Sequence, residues 1–195
     1  MNDQPVYRPP SADAILAETK AIGFTMTSEP KTGSLLRMLA AAKPAGELLE
    51  LGTGTGYATA WLLDGMDAAS RLTSVESEAR FQGIAQKHLG QDSRVRLVHS
   101  DAAEYLTAAE PARFDLIFAD TWAGKFTHLD EAVALLKPGG LYVIDDMLPQ
   151  TSWPDEHVNK VTRLLEELSE RTDLLSTRLN WATGIVLAVQ TKSDA

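Results

Sequence analysis

Gly52, Gly54 and Gly56 occupy alternate positions in the stretch LLELGTGTGYAT, residues 48–59. Glycine tolerates positive φ and lets a backbone come close to a ligand. The apolar run ahead of the glycines reads as a buried strand, and the stretch from Tyr57 onward reads as a helix. A strand, a glycine turn and a helix N-terminus together make a nucleotide-type pocket. Dinucleotide sites are written G-x-G-x-x-G. Here the spacing is G-x-G-x-G, Tyr57 stands where that fingerprint has its third glycine, and the acidic Glu50 is not part of it. More carboxylates close later strand-like runs: Glu76 in SVE, Asp120 in FAD, and Asp145 and Asp146 in IDD. Glu76 is suited to accept hydrogen bonds from both hydroxyls of a ribose. Asp101, in SDAAEYL, follows another such run. Each feature also has a plainer reading: a tight turn, a solvated strand end, a helix N-cap at Asp101, or carboxylates capping nearby backbone N–H groups.

These positions need a frame, and the rest of the chain supplies one. From Glu47 onward the apolar runs ELLEL, RLTSVE, VRLVHS, FDLIFAD and LYVIDD alternate with helix-like stretches at 57–66, 78–89, 102–109 and 129–136. That alternation predicts right-handed βαβ units and a parallel sheet covered on both faces. Ahead of it lie an extended arm over residues 1–10 and two helices at 11–22 and 32–43, with Pro30 breaking the loop between them. KPGG at 137–140 should stop a helix and turn into a strand. The tail offers an amphipathic helix at 155–171, with Val161, Leu164, Leu165 and Leu168 on one face. Two strand-like runs follow, STRLNW and GIVLAVQT, with only Ala182 and Thr183 between them. That is hairpin spacing, so one edge of the sheet should carry an antiparallel strand. The fold expected is α/β: one domain over 1–195, a seven-stranded, mostly parallel sheet and helices on both faces.

The chain's 195 residues suit a single domain, and 44% hydrophobic with 23% charged residues is a globular composition. The absence of cysteine excludes disulfides, thiolate metal sites and a cysteine nucleophile. A net charge of −9 with scattered Lys and Arg argues against nucleic acid and for a small-molecule partner. The N-terminal stretch lacks signal-peptide order and no apolar run is long enough to cross a bilayer, so a cytoplasmic protein without a membrane partner is expected.

Taken in order, these segments resemble class I S-adenosylmethionine (SAM) methyltransferases, whose first motif is similar to ELGTGTG at 50–56. The resemblance implies a Rossmann-like fold with Glu50, Gly52, Thr53, Gly54, Gly56 and Tyr57 at the cofactor, Glu76 on its ribose, and Asp101 with the Ala102 backbone at its adenine. The chemistry agrees. SAM has no pyrophosphate but carries a sulfonium and an ammonium, which a nearby carboxylate favours.

FADTW and IDDM look like the small metal-dependent O-methyltransferases of the catechol and caffeoyl-CoA type, a resemblance that covers about residues 26–147. The Asn/Asp-Pro-Pro-aromatic segment of amino-directed DNA methyltransferases is absent. MTSEPKTGSLL is similar to that family's helix ahead of the glycine loop, and GTGTGYAT to its Gly-Tyr-Ser-Thr loop. The resemblance implies Mg²⁺ or another divalent cation on Asp120, Asp145 and Asp146, oxygen ligands that suit a hard ion. It also places Asp120 where the acceptor enters, Trp122 as a wall of the adenine or acceptor pocket, and Met26 beside the transferred methyl. Three positions depart from the pattern. The family's catalytic lysine, three residues after the first Asp, is Ala123 here, with Lys125 two residues later as candidate base. Asp146 stands for Asn, and Ala58 for Ser. His128 and His157 are further candidate bases, and LPQTSWPDEH at 148–157, with Pro149, Trp153 and Pro154, is a candidate acceptor lid. Resembled bacterial enzymes are often dimers, which implies a homodimer through the N-terminal arm.

The function expected is SAM-dependent methylation of a small molecule at oxygen, assisted by a divalent metal. A SAM-binding protein without turnover, kept open by Ala123, and a nicotinamide oxidoreductase stand as alternatives.

Overall fold

A computed structural model of the protein describes residues 3–150 and 155–191. Its strands are β1 (Glu47–Leu51), β2 (Arg71–Glu76), β3 (Val95–His99), β4 (Phe114–Ala119), β5 (Leu136–Ile144), β6 (Leu174–Leu179) and β7 (Ile185–Gln190). They form one sheet in the order β3-β2-β1-β4-β5-β7-β6. β1 to β5 pair in parallel, and β7 runs antiparallel to β5 and β6. The helices are α1 (Ala12–Ala21), α2 (Pro30–Ala41), α3 (Tyr57–Gly65), α4 (Ala79–Leu89), α5 (Ala102–Ala108), α6 (Leu129–Ala134) and α7 (Asp155–Glu170).

Successive strand residues face opposite sides of a sheet, and here both sides are apolar, as a parallel sheet between helices requires. Leu48, Leu72, Leu116, Phe118 and Val143 share a core with Ile15, Leu36, Trp61 and Ile84 of α1 to α4. Leu49, Leu51, Ile117, Ala119 and Ile144 share the other with Leu106, Leu129, Val161 and Leu164 of α5, α6 and α7. The seven-stranded, mostly parallel sheet, its antiparallel C-terminal hairpin and the helices on both faces are as expected. Among the described residues no helix is long and apolar enough to cross a membrane.

Three local expectations are corrected. Pro30 starts α2 instead of lying in the loop before it, because the first helical position has no intrahelical N–H bond to lose. KPGG lies inside β5, not at a helix end: α6 stops at Ala134, and the β4–β5 register jumps from Phe114↔Leu136 to Leu116↔Leu141. The hairpin loop is longer than Ala182 and Thr183. Trp181 leaves the strand so that its indole N–H donates to the Lys31 carbonyl at 2.9 Å, and Gly184 N donates back to the Trp181 carbonyl at 2.8 Å.

The arm packs on its own chain. The Tyr7 hydroxyl donates to Asp64 Oδ1 at 2.7 Å, and the Arg37 guanidinium lies 4.4 Å from the Tyr7 ring centre.

Candidate active site

Strand order reverses between β1 and β4, and in open α/β sheets the crevice beyond the strand ends at such a point is where ligands bind. The two strands are tied there by Asp120 N, which donates to the Leu51 carbonyl at 2.9 Å. Gly52 has φ +96°, and a Cβ on it would stand 2.8 Å from the Asp120 carbonyl oxygen. Only glycine fits that approach. Gly52 N and Thr53 N both donate to the Val75 carbonyl, at 3.0 and 3.1 Å, binding the loop to β2. Gly56 precedes α3 with φ +93°, and a Cβ there would meet Ala85 at 2.8 Å.

Glu76, at the end of β2, is half-buried against this loop. Its Oε2 accepts from Gly54 N at 2.7 Å and its Oε1 from Glu78 N at 2.9 Å. Glu50 shares the face of Leu48, two residues before it, and is wholly buried beneath the loop. Its Oε2 accepts from the Thr59 hydroxyl at 2.6 Å and from the Ser74 hydroxyl, while Oε1 has no hydrogen-bond partner. Burial pushes this carboxyl up from 4.5 to about 7; the two hydroxyls oppose the rise and the Glu76 charge adds to it. Tyr57 is buried with its ring edge-on to Trp61, within the core. Asp101 caps α5, accepting from Ala103 N at 2.7 Å and Glu104 N at 3.3 Å, and Ala102 opens that helix.

A second group of side chains gathers beyond β4 and β5. Asp145 is 1% exposed, and its Oδ1 accepts from the Thr183 hydroxyl at 2.5 Å and from Asp146 N at 2.8 Å. Asp120 Oδ2 accepts from the Ser28 hydroxyl at 2.9 Å. Asp146 takes φ +61°, and its Oδ1 accepts from Gln150 Nε2 at 2.8 Å. Desolvation raises Asp120 well above the usual carboxylate range; the Asp145 charge raises it further and the Lys125 charge opposes. Asp145 is raised by its own burial and then by the Asp146 charge.

The loop over 122–127 explains Ala123. Lys125 N and Phe126 N both donate to the Trp122 carbonyl, at 3.1 and 2.9 Å, and Gly124 turns at φ +86°. This closure buries Ala123 in the core with Leu51 and Tyr142, where a lysine would lose its solvation. It brings Lys125 inward instead. That side chain is 4% exposed, and its Nζ donates to the Asp145 carbonyl at 3.2 Å.

Trp122 is 48% and Met26 76% exposed, so neither serves as core filling. Phe126 and His157 meet the Trp122 ring edge-on, at 5.9 and 6.2 Å between centres, and Lys160 Nζ lies 3.8 Å over it. Burial, then the Lys125 charge, lowers the His157 pKa, which places that ring beside the group. His128 takes the N-cap position of α6 with φ +55°. Trp153 and Pro154 lie outside the described residues.

The Asp146 charge acts on both Asp120 and Asp145, yet each of the three is turned to a donor of its own. Among the described residues no group of three or more His, Cys, Asp or Glu is arranged to hold a metal ion. Ser28 and Thr183 support Asp120 and Asp145, and Thr59 and Ser74 support Glu50, without having been singled out in the sequence. Thr59 and Ser74 do so across an αβ crossover, a pairing that one-dimensional spacing does not encode.

Residues 49–147 match the family model described as a methyltransferase domain. A Mycolicibacterium vanbaalenii protein, named provisionally as an O-methyltransferase, is 36% identical over 143 residues, 69% of this chain and 63% of its own. This chain thus spans less than two thirds of that relative's length. A catechol O-methyltransferase of Niastella koreensis is 30% identical over 158 residues, covering 74% of this chain and 71% of its own. Among solved structures, the O-methyltransferase TomG from Streptomyces achromogenes, crystallised with SAM, superposes with a TM-score of 0.81 at 24% identity, over 96% of this chain and 92% of that one. The sheet order, the glycine loop at its reversal point and the match across it agree: the chain belongs to the class I SAM-dependent methyltransferase family, among the O-methyltransferases.

Proposed function

We propose that this chain transfers a methyl group from SAM to a hydroxyl oxygen of a small molecule. The observation that carries the reading is the Glu76 carboxylate held on Gly54 N at the switch point of the sheet, a half-buried acidic edge beside a glycine loop. A ribose diol suits such an edge, and the narrow approach of Gly52 to Asp120 leaves room for a ligand only while the loop stays free of side chains. TomG, of like fold, was crystallised with SAM, and the named Niastella relative acts on a catechol.

When bound, SAM supplies an electrophilic methyl carried on a positive sulfur. This chain's residues do the rest. The Gly52–Gly56 loop and Glu76 hold the donor, with Asp101 and Ala102 at the adenine end. The buried charge of Glu50 lies under the loop and favours a cationic ligand above it. Trp122 and Met26, both exposed, wall the acceptor against the methyl. Asp120, at the mouth of β4, takes the hydroxyl proton, which raises the oxygen's nucleophilicity as the two reacting groups are held in line.

The arrangement does not fit a divalent ion: the carboxylates are committed to Ser28, Thr183 and Gln150, and an ammonium lies against Asp145.

Calorimetry with SAM and with NAD⁺, followed by mass spectrometry of a panel of catechols, phenols and hydroxy acids, tests the reading. SAM binding with a methylated product is expected. Binding without turnover on any acceptor would leave a SAM-binding protein without activity, and NAD⁺ binding in place of SAM would overturn the assignment.

A further inference from the structure

We propose that the buried ammonium of Lys125 is the site's own cation, standing among the strand-end carboxylates and binding the acceptor oxygen, so that methyl transfer here needs no metal. The proposal rests on the methyl-transfer reading above.

An ammonium buried to 4% exposure is costly unless anions or acceptors compensate it. Lys125 Nζ has the Asp145 carbonyl at 3.2 Å, and its charge is felt by the Asp120 and Asp145 carboxyls and by the His157 ring. The hydrogen bond places it just past the end of β5. The loop that puts it there is closed by three hydrogen bonds to the Trp122 carbonyl, from Lys125, Phe126 and Thr127 N, and turned at Gly124, whose Cβ would stand 2.8 Å from Leu51 Cδ1. The inward position is built into the loop. Buried Asp145 and half-buried Asp120 stand at the same strand ends, and their charge compensates the ammonium. A divalent ion would have to enter against a like charge already in place.

In the reaction the acceptor hydroxyl gives its proton to the Asp120 carboxylate. The oxygen's lone pair forms the O–CH₃ bond while the S–CH₃ bond breaks, and the sulfur keeps that electron pair as a neutral thioether. The ammonium donates a hydrogen bond to the oxygen throughout, and Asp120 later returns its proton to water.

The test is a Mn²⁺ titration read from the spin-resonance signal of the free ion, on the wild type, Lys125→Met and Lys125→Met with Asp145→Asn. The wild type is expected to leave Mn²⁺ free at micromolar concentrations. Lys125→Met should bind it about tenfold or more tightly than wild type, once the like charge is gone, and the double variant should lose that gain. Wild-type turnover should be the same in EDTA as in Mg²⁺. A micromolar wild-type Mn²⁺ site would overturn the proposal, as would a folded Lys125→Met with no gain. If Lys125→Met fails to fold, the wild-type titration and the EDTA comparison decide alone. SAM calorimetry on the same samples separates the two readings: no SAM uptake ends the methyltransferase reading, whereas a wild-type Mn²⁺ site ends only this one.

Discussion

Glu50→Gln should make the protein more stable at alkaline pH, although it removes a carboxylate that holds two hydroxyls. The folded state raises the Glu50 pKa from 4.5 to about 7, chiefly because the group is wholly buried and only Oε2 has partners. A raised carboxyl favours the fold in its protonated form. Its contribution is complete below about pH 4.5 and is lost as pH climbs through about 7. A shift of about 2.5 units corresponds to about 3 kcal/mol, at 1.36 kcal/mol per unit. Glutamine keeps an oxygen for Thr59 and Ser74 and never ionises. Its amide N–H₂ takes the unpartnered place of Oε1, which costs about 1–3 kcal/mol at any pH. The difference between wild type and variant should therefore change by about 3 kcal/mol in the variant's favour between pH 4.5 and 9. Urea unfolding at several pH values measures it. Subtracting the two curves removes Asp120 and Asp145, which are raised in the same direction. A pH-independent difference would refute the argument, because it would mean that Glu50 takes up its proton at the same pH in the folded and unfolded chains.

Two further substitutions test other parts of the frame. Glu76→Ala should weaken SAM binding by about 1–3 kcal/mol, since the ribose hydroxyls lose a charged acceptor and Gly54 N its partner; calorimetry giving the wild-type affinity would displace the ribose from this edge. Gly33→Ala should lower stability by about 1–2 kcal/mol, because its Cβ would come within 2.4 Å of Trp61 Cδ1 and the strain exceeds the gain in helix propensity. A thermal melt at or above the wild-type midpoint would contradict that.

The sheet was legible because its signal is local: apolar runs of strand length, helices between them, and glycines where β1 must turn. The order of strands, with its reversal between β1 and β4, is not fixed by that alternation. What was not legible depends on which way a residue points. Glu50 reads as a carboxylate offered to a ligand, but its parity with Leu48 puts it inside. Tyr57 lies in the loop signature yet packs on Trp61. Ala123 suggests a missing lysine, and only the closure of the 122–127 loop shows that Lys125 reaches inward. Likewise, the partners of Asp120 and Asp145 come from Ser28 and Thr183, 92 and 38 residues away in sequence, a distance across which spacing carries no information.

Thr183 belongs to the connection that leads into β7, and β7 inserts between β5 and the edge strand β6. Asp145 owes its hydroxyl partner, and Met147 N its bond to the Gly184 carbonyl, to this hairpin. The end of the crevice beyond β5 is therefore ordered only with the last two strands in place.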